Sequence, residues 1–257
     1  MPDSLPTPPW RPRSEHELVP YGAVSTLDVR SLLVLAPHPD DEVFGCGGLI
    51  ALAAQQGVAV HVAVVSDGAI GGDAAVREQE CRAAAQVLGY LPAQGSLQFW
   101  TRPDRGVVPD AELVQRMRTL CLETAADWLL APSPFEVHPD HLAVCRAATE
   151  AVAGTAARLV YYEVGQALMA NLLVDVTSVM PRKHAAMRAF SSQLAQQDYG
   201  EHIAALNRYR SYTLGPGVTH AEAYWLAPSG ASLKNVLEDA GRQLERRFGA
   251  GSPPAAG

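Results

Sequence analysis

The chain has 257 residues, enough for one large domain with a substantial core, and its 48% hydrophobic and 18% charged content is that of an ordinary soluble protein. A net charge of -7 argues against sequence-independent binding of nucleic acid, and no run reaches the roughly 18 apolar residues needed to span a bilayer. Four scattered cysteines without C-x-x-C spacing are the usage of a reducing compartment, which points to the cytoplasm.

Residues 1–30 open with Pro-rich sequence that lacks the apolar segment of a signal peptide and read as an irregular arm. Apolar, strand-like runs then fall at 31–36, 58–65, 96–100, 127–131 and 158–163. They alternate with helical stretches at 44–56, 74–89, 110–126 and 140–153, with Gly57, Gly89 and Gly154 placed as C-caps. This alternation predicts an α/β fold: a Rossmann-like, mostly parallel sheet with helices on both faces. The last third is less regular, with helices expected over 178–190 and 197–213, a strand over 219–226 and a basic amphipathic helix over 233–248. The implied division is an arm (1–30), a catalytic α/β domain (31–226), and a C-terminal helix with a mobile tail (227–257).

Chemistry concentrates in two places. Behind the first strand stands Pro37-His38-Pro39-Asp40-Asp41-Glu42, and behind the fourth stands His138-Pro139-Asp140-His141. So many charges following apolar strands make poor core material unless they are paired or bound to a cation. Both loops follow strands of a parallel sheet, so both lie at the carboxyl edge, where open α/β sheets bind ligands. His38, His141 and one carboxylate form a metal set that leaves a position for water, and the spacing admits either Asp40 or Asp41 as the third ligand. The structural alternative is that Asp40, Asp41 and Asp140 only cap helix N-termini. Gly45-Cys46-Gly47-Gly48 lacks dinucleotide spacing and reads as close packing of helix on sheet. Cys46 and Cys145 read as buried thiols, His61 as a hydrogen-bonded strand residue, and Tyr161, Tyr162 and Trp225 as core. Glu42 is expected to support its loop.

These residues resemble the PIG-L/LmbE-like N-acetylglucosaminyl deacetylases. That family's leading signature, (A/P)-H-P-D-D-E, is matched at 37–42, and its H-P-D-H is unaltered at 138–141. Weaker matches follow in order: Asp67-Gly68, Arg77 to Glu80, Pro103-Asp104-Arg105-Gly106, Ser192-Gln193 and Ala221-Glu222-Ala223-Tyr224. The resemblance implies that His38, Asp41 and His141 hold zinc (ferrous iron or another divalent ion being the alternatives) and that Asp40 is the general base. It further implies His138 as acid and oxyanion stabiliser, with Arg77 and Asp104 as substrate contacts. Glu136 and His220 depart from the family pattern and are expected to bear on substrate choice.

The expected activity is zinc-dependent removal of an N-acetyl group from an N-acetylglucosamine-type sugar or glycoconjugate, releasing acetate. The alternatives are an amidase for another N-acyl or thiol-sugar conjugate, and an inert, metal-stabilised binding module. The partner implied is a small molecule, with no nucleic acid and no membrane span.

Overall fold

The computed structural model describes residues 19–91 and 95–230, together with Ser232, 234–236, Glu238, Gly241 and Arg242. Most of the arm expected over 1–30, most of the helix expected over 233–248, and the tail therefore lie outside the described residues. Five strands alternate with four helices: β1 (Ser31–Ala36), α1 (Asp41–Gln55), β2 (Ala59–Ser66), α2 (Ala74–Leu88), β3 (Ser96–Arg102), α3 (Ala111–Glu123), β4 (Trp128–Pro132), α4 (Pro139–Ala151) and β5 (Arg158–Tyr162). Then come β6 (Leu172–Asp175), a 3-10 turn (Thr177–Val179), α5 (Met180–Met187), α6 (Ser191–Leu194), α7 (Tyr199–Arg210) and β7 (Ala221–Leu226).

The sheet has seven strands in the order β3-β2-β1-β4-β5-β7-β6. β1 to β5 are parallel, and β7 runs antiparallel to β5 and β6. Side chains alternate across the strands as period-2 geometry requires. Leu32, Val34 and Ala36 of β1 join the core beneath α1 and α2, whereas Leu33 and Leu35 join the core that includes Leu113 and Met117 of α3 and Val144 of α4. With helices on both faces the sheet is buried from both sides, which is why its strands are continuous apolar runs.

The strand order matters more than the strands themselves. From β1 the chain winds outward through β2 to β3, then returns across β1 to place β4 on its other side. β1 and β4 are thus the neighbours at which the winding reverses, the position where open α/β sheets leave a crevice. Both His/Asp loops open onto it.

The glycines of α1 do pack against the rest of the fold. A Cβ on Gly45 would lie 2.5 Å from Tyr162, and one on Gly48 would lie 2.5 Å from Val176. A buried ion pair meets the same helix: Lys183 Nζ donates to Glu222 Oε1 (2.7 Å), Asn207 Oδ1 (2.9 Å) and Phe44 O (2.9 Å). Glu222 in turn accepts from the Gly48 and Leu49 amides and the Tyr224 hydroxyl, each at 2.7 Å. Each ammonium hydrogen has an acceptor, which is what allows a fully buried lysine to persist.

The last third differs from expectation in three respects: the helix expected over 178–190 is α5, which stops at Met187, and both the short α6 and β6 lie where the sequence predicts no element. Leu172-Leu173-Val174-Asp175 is too short to declare itself by period, and it is a strand because β7 pairs with it from Leu172↔Tyr224 to Asp175↔Ala221. Among the described residues no helix is long and apolar enough to cross a membrane.

Candidate metal centre

Three atoms from the two loops converge. His38 Nδ1 lies 3.2 Å from Asp41 Oδ2, His141 Nε2 lies 3.2 Å from the same oxygen, and the two nitrogens are 3.3 Å apart. Corners of a tetrahedron whose ligands stand about 2.0 Å from zinc are themselves about 3.3 Å apart. The triangle has the right size and donor types for such an ion. Asp41 rather than Asp40 completes it, which residue spacing left open.

The surroundings orient each ring. His38 Nε2 faces Asp140 Oδ2 at 3.1 Å and Asp104 Oδ1 at 3.3 Å, which leaves Nδ1 turned to the triangle. Asp140 is itself fixed by the Arg105 and Val107 amides at 2.7 and 3.1 Å. Behind His141, Glu136 Oε2 stands 3.4 Å from Nδ1, although the alignment falls short of a hydrogen bond and Nδ1 is a buried polar atom without a partner. The Val164, Gly165 and Gln166 amides hold Glu136 through Oε1. Carboxylates behind ligand histidines are the usual means of fixing tautomer and ring direction. Glu136 is 4% exposed and stands behind the His141 ring.

The electrostatics carry the same imprint. Burial alone would lower the pKa of both rings, yet the Asp140 and Asp41 hydrogen bonds raise His38 to about 9, and Asp41 raises His141 to about 10 with Glu136 assisting. Burial likewise works to raise Asp41, but the two histidines hold it far below the carboxylate range. Six carboxylates (Asp40, Asp41, Glu42, Asp104, Glu136 and Asp140) crowd this volume with Arg77 and the histidines. A divalent cation is the natural complement of that excess.

Asp40 sits at the N-cap position of α1, with φ +144° and ψ -29°, and its side chain makes no capping bond. Such a conformation costs on the order of 1–3 kcal/mol. Burial and the Asp41 charge raise its pKa to about 8 against the lowering effect of Arg77. Asp41 accepts from the His38 amide (2.9 Å) and Asp140 from amides of the β3–α3 loop, so none of the three aspartates acts as a side-chain helix cap. His138 occupies that role on α4, its Nδ1 accepting from the Asp140 amide at 3.2 Å. The neutral ring therefore carries its proton on Nε2. A ring nitrogen of His138 lies within 4.8 Å of nitrogens of His38 and His141. Burial, then the charges of those two rings, lowers its pKa.

The two expected substrate contacts are turned inward. Both Nη atoms of Arg77 are engaged, by Gly68 O, Pro39 O and Asp40 Oδ2, and the residue is 4% exposed. Asp104 faces His38 through Oδ1 and accepts from the Ile70 amide through Oδ2 at 3.0 Å. Glu42 does support its loop, accepting from the Asp40 amide and the Cys81 thiol. His220 precedes β7 and bonds Thr219 Oγ1 at 3.0 Å. His61 bonds Ser96 Oγ at 2.9 Å, the four cysteines are free and buried, and Tyr161, Tyr162 and Trp225 are core residues.

The family model of the PIG-L GlcNAc-PI de-N-acetylases matches residues 33–152, a stretch that contains both His/Asp loops. The chain is similar to 4-oxalmesaconate hydratase of Pseudomonas putida, 26% identical over 228 residues that cover 75% of this chain and 84% of that protein. It is also similar to diacetylchitobiose deacetylase of Thermococcus kodakarensis, 29% identical over 129 residues, 44% of this chain and 46% of that one. In fold it resembles the N,N'-diacetylchitobiose deacetylase of Pyrococcus horikoshii, with a TM-score of 0.69 at 23% identity over 78% of this chain and 85% of that one.

Proposed function

With a PIG-L domain over residues 33–152 as the premise, we propose that this chain is a zinc-dependent N-deacetylase acting on an acetamido sugar or a glycoconjugate that carries one. The observation that carries the reading is the triangle of His38, Asp41 and His141 with Asp40 and His138 beside it and not required to close it. A purely structural metal site closes its fourth position with protein and has no use for such spare groups. We take residues 31–226 as the catalytic domain. The four free, buried cysteines fit a reducing compartment, and we place the enzyme in the cytoplasm.

Held by His38, Asp41 and His141, the ion supplies Lewis acidity at the amide carbonyl and brings the pKa of water to about 7. Asp40 takes the proton of the attacking water. His138, neutral with its hydrogen on Nε2, donates a hydrogen bond to the carbonyl oxygen as charge develops there, and the departing amine takes up the proton that Asp40 removed from water. Asp140 and Glu136 keep the two ligand rings turned toward the ion. Substrate selection falls to side chains that reach solvent on the same loops, among them Ile70, Arg105 and Val137.

Glu136→Gln is expected to weaken zinc binding by about 10–100-fold, because it removes the charge behind His141 without emptying the space. Competition with a fluorescent zinc chelator reads that change. Unaltered affinity would detach Glu136 from the metal centre.

Similarity to a hydratase over 75% of the chain favours one second reading, addition of water to an unsaturated acid. Both activities are tested on one preparation. Acetate release is followed from N-acetylglucosamine derivatives and diacetylchitobiose, and hydration from 4-oxalmesaconate, before chelation, after it and after zinc is restored. Acetate release that stops with chelation and returns with zinc is the expected result. Hydration without acetate release would replace the deacetylase with the second reading, and neither activity at full zinc occupancy would leave an amidase for another N-acyl or thiol-sugar conjugate, or the inert binding module.

A further inference from the structure

Backbone holds Glu136 in place. The amides of Val164, Gly165 and Gln166, three in succession in the β5–β6 loop, donate to its Oε1 at 3.1, 3.0 and 3.3 Å. Successive N–H groups turned to one side form a concave anion site, filled here by the chain's own carboxylate. The other oxygen, Oε2, faces His141 Nδ1 at 3.4 Å. Residues 163–171 are neither helix nor strand, and a second carboxylate closes the loop. Buried Glu163 accepts from the Leu168 amide through Oε2 at 3.0 Å. Arg210, the last residue of α7, donates to Glu163 Oε1 from Nε (2.9 Å), to Glu163 Oε2 from Nη2, and to Leu168 O at 2.8 Å. The three amides thus lie between two anchor points, residues 163 and 168, held by one guanidinium. Gly165 leaves no slack: a Cβ there would lie 2.8 Å from Glu136 Oε2.

We propose that this loop is a positioning device for the metal centre, with Arg210, Glu163 and Gly165 as its positioning residues. The Arg210–Glu163 pair keeps the amides of 164–166 aligned on Glu136, and Glu136 sets the direction of the His141 ring and the basicity of its other nitrogen. An ion pair at the end of α7 thereby tunes how tightly His38, Asp41 and His141 hold their metal. The proposal rests on those three residues being the zinc site. A bidentate guanidinium–carboxylate pair fixes direction as well as distance, which the single ammonium of lysine does not.

The test reads zinc affinity by chelator competition, together with the melting temperature of the zinc-free protein. The variants are Arg210→Met, Arg210→Lys, Gly165→Ala, Glu136→Gln, and the double variants that join Glu136→Gln to Arg210→Met or to Gly165→Ala. Arg210→Met and Gly165→Ala are each expected to weaken zinc binding about 10-fold, the lower end of the range for changes behind a ligand, because they act through Glu136. Arg210→Lys should fall between Arg210→Met and the parent. Where Glu136 is already replaced by glutamine, either change should weaken binding by no more than about twofold further, since a group that acts only through that charge has nothing more to lose.

Losses that add in the double variants would overturn the proposal, because the loop would then reach the metal by another route. So would a lowered melting temperature at unchanged zinc affinity in Arg210→Met and Gly165→Ala, which makes the clamp a brace of the fold alone. Should Arg210→Met fail to fold, Arg210→Lys and Gly165→Ala carry the comparison. A parent protein that binds no zinc, or one whose affinity is unaltered in Asp41→Asn, fails the functional reading itself. Zinc held by the parent and lost in Asp41→Asn, with Glu136→Gln or the loop variants unaltered, leaves that reading standing and overturns this proposal alone.

Discussion

Asp40→Ala is expected to retain about the metal content of the parent protein and to lose turnover by about 10²–10⁴-fold, the range for removal of a positioned base. The triangle is closed by Asp41 Oδ2, and Asp40 meets Arg77 and Glu42 instead. Alanine also leaves the Arg77 guanidinium buried without its carboxylate, and breaking a buried pair costs about 3–5 kcal/mol. Asp40→Asn is therefore the cleaner companion, because its amide oxygen can still accept from Arg77 and asparagine tolerates positive φ better than most residues. Turnover and zinc should be measured on the same preparation, with a melting curve to register the lost ion pair. Metal lost together with activity would identify Asp40 as a ligand and remove it from proton transfer.

Asp41→Asn is expected to have the opposite signature: activity falls because metal is lost. Its Oδ2 is the one anionic corner of the triangle, within 3.2 Å of both histidine nitrogens. An amide keeps the shape and discards the charge that balances a divalent ion. The fall in zinc affinity should exceed the roughly 10–100-fold that changes behind the ligands bring. Zinc titration with a competing chelator measures it, and saturating zinc should restore some turnover if ligation is the whole defect. Normal zinc affinity in Asp41→Asn would remove Asp41 from the ligand set.

The two variants together separate roles that adjacent, chemically identical side chains leave entangled. One turn of chain sends Asp41 toward His38 and His141 while the unusual φ of Asp40 sends its carboxylate to Arg77. Neighbouring aspartates thereby acquire different environments. Asp41 is held ionised by two histidines, and Asp40 is raised to about 8 by burial and by the charge of Asp41. Two carboxylates with environments pushed apart are a common basis for dividing ligand and acid–base work.

The sequence by itself determined what short-range chemistry can determine. Apolar runs of strand length, glycine C-caps and 3.6-residue periodicity located β1 to β5 and α1 to α4, because those signals act over a few residues. The two signatures at 37–42 and 138–141 marked where the histidines and carboxylates gather, since so many charged groups behind apolar strands make poor core material. Tertiary structure decided the rest. The choice of Asp41 over Asp40 depended on where His141 arrives from about 100 residues away, and that is set by β4 pairing beside β1 with Leu33 opposite Leu129. Asp104, Asp140 and Glu136 stand behind His38 and His141 because loops from β3 and β4 meet at one crevice, and Arg77 faces inward because the Gly68 loop folds over it. β6 exists because β7 offers it a partner. Spacing along the chain fixes which groups are present, whereas strand order and register fix which of them meet, and hydrogen bonds between distant residues leave no periodic trace in the sequence that makes them.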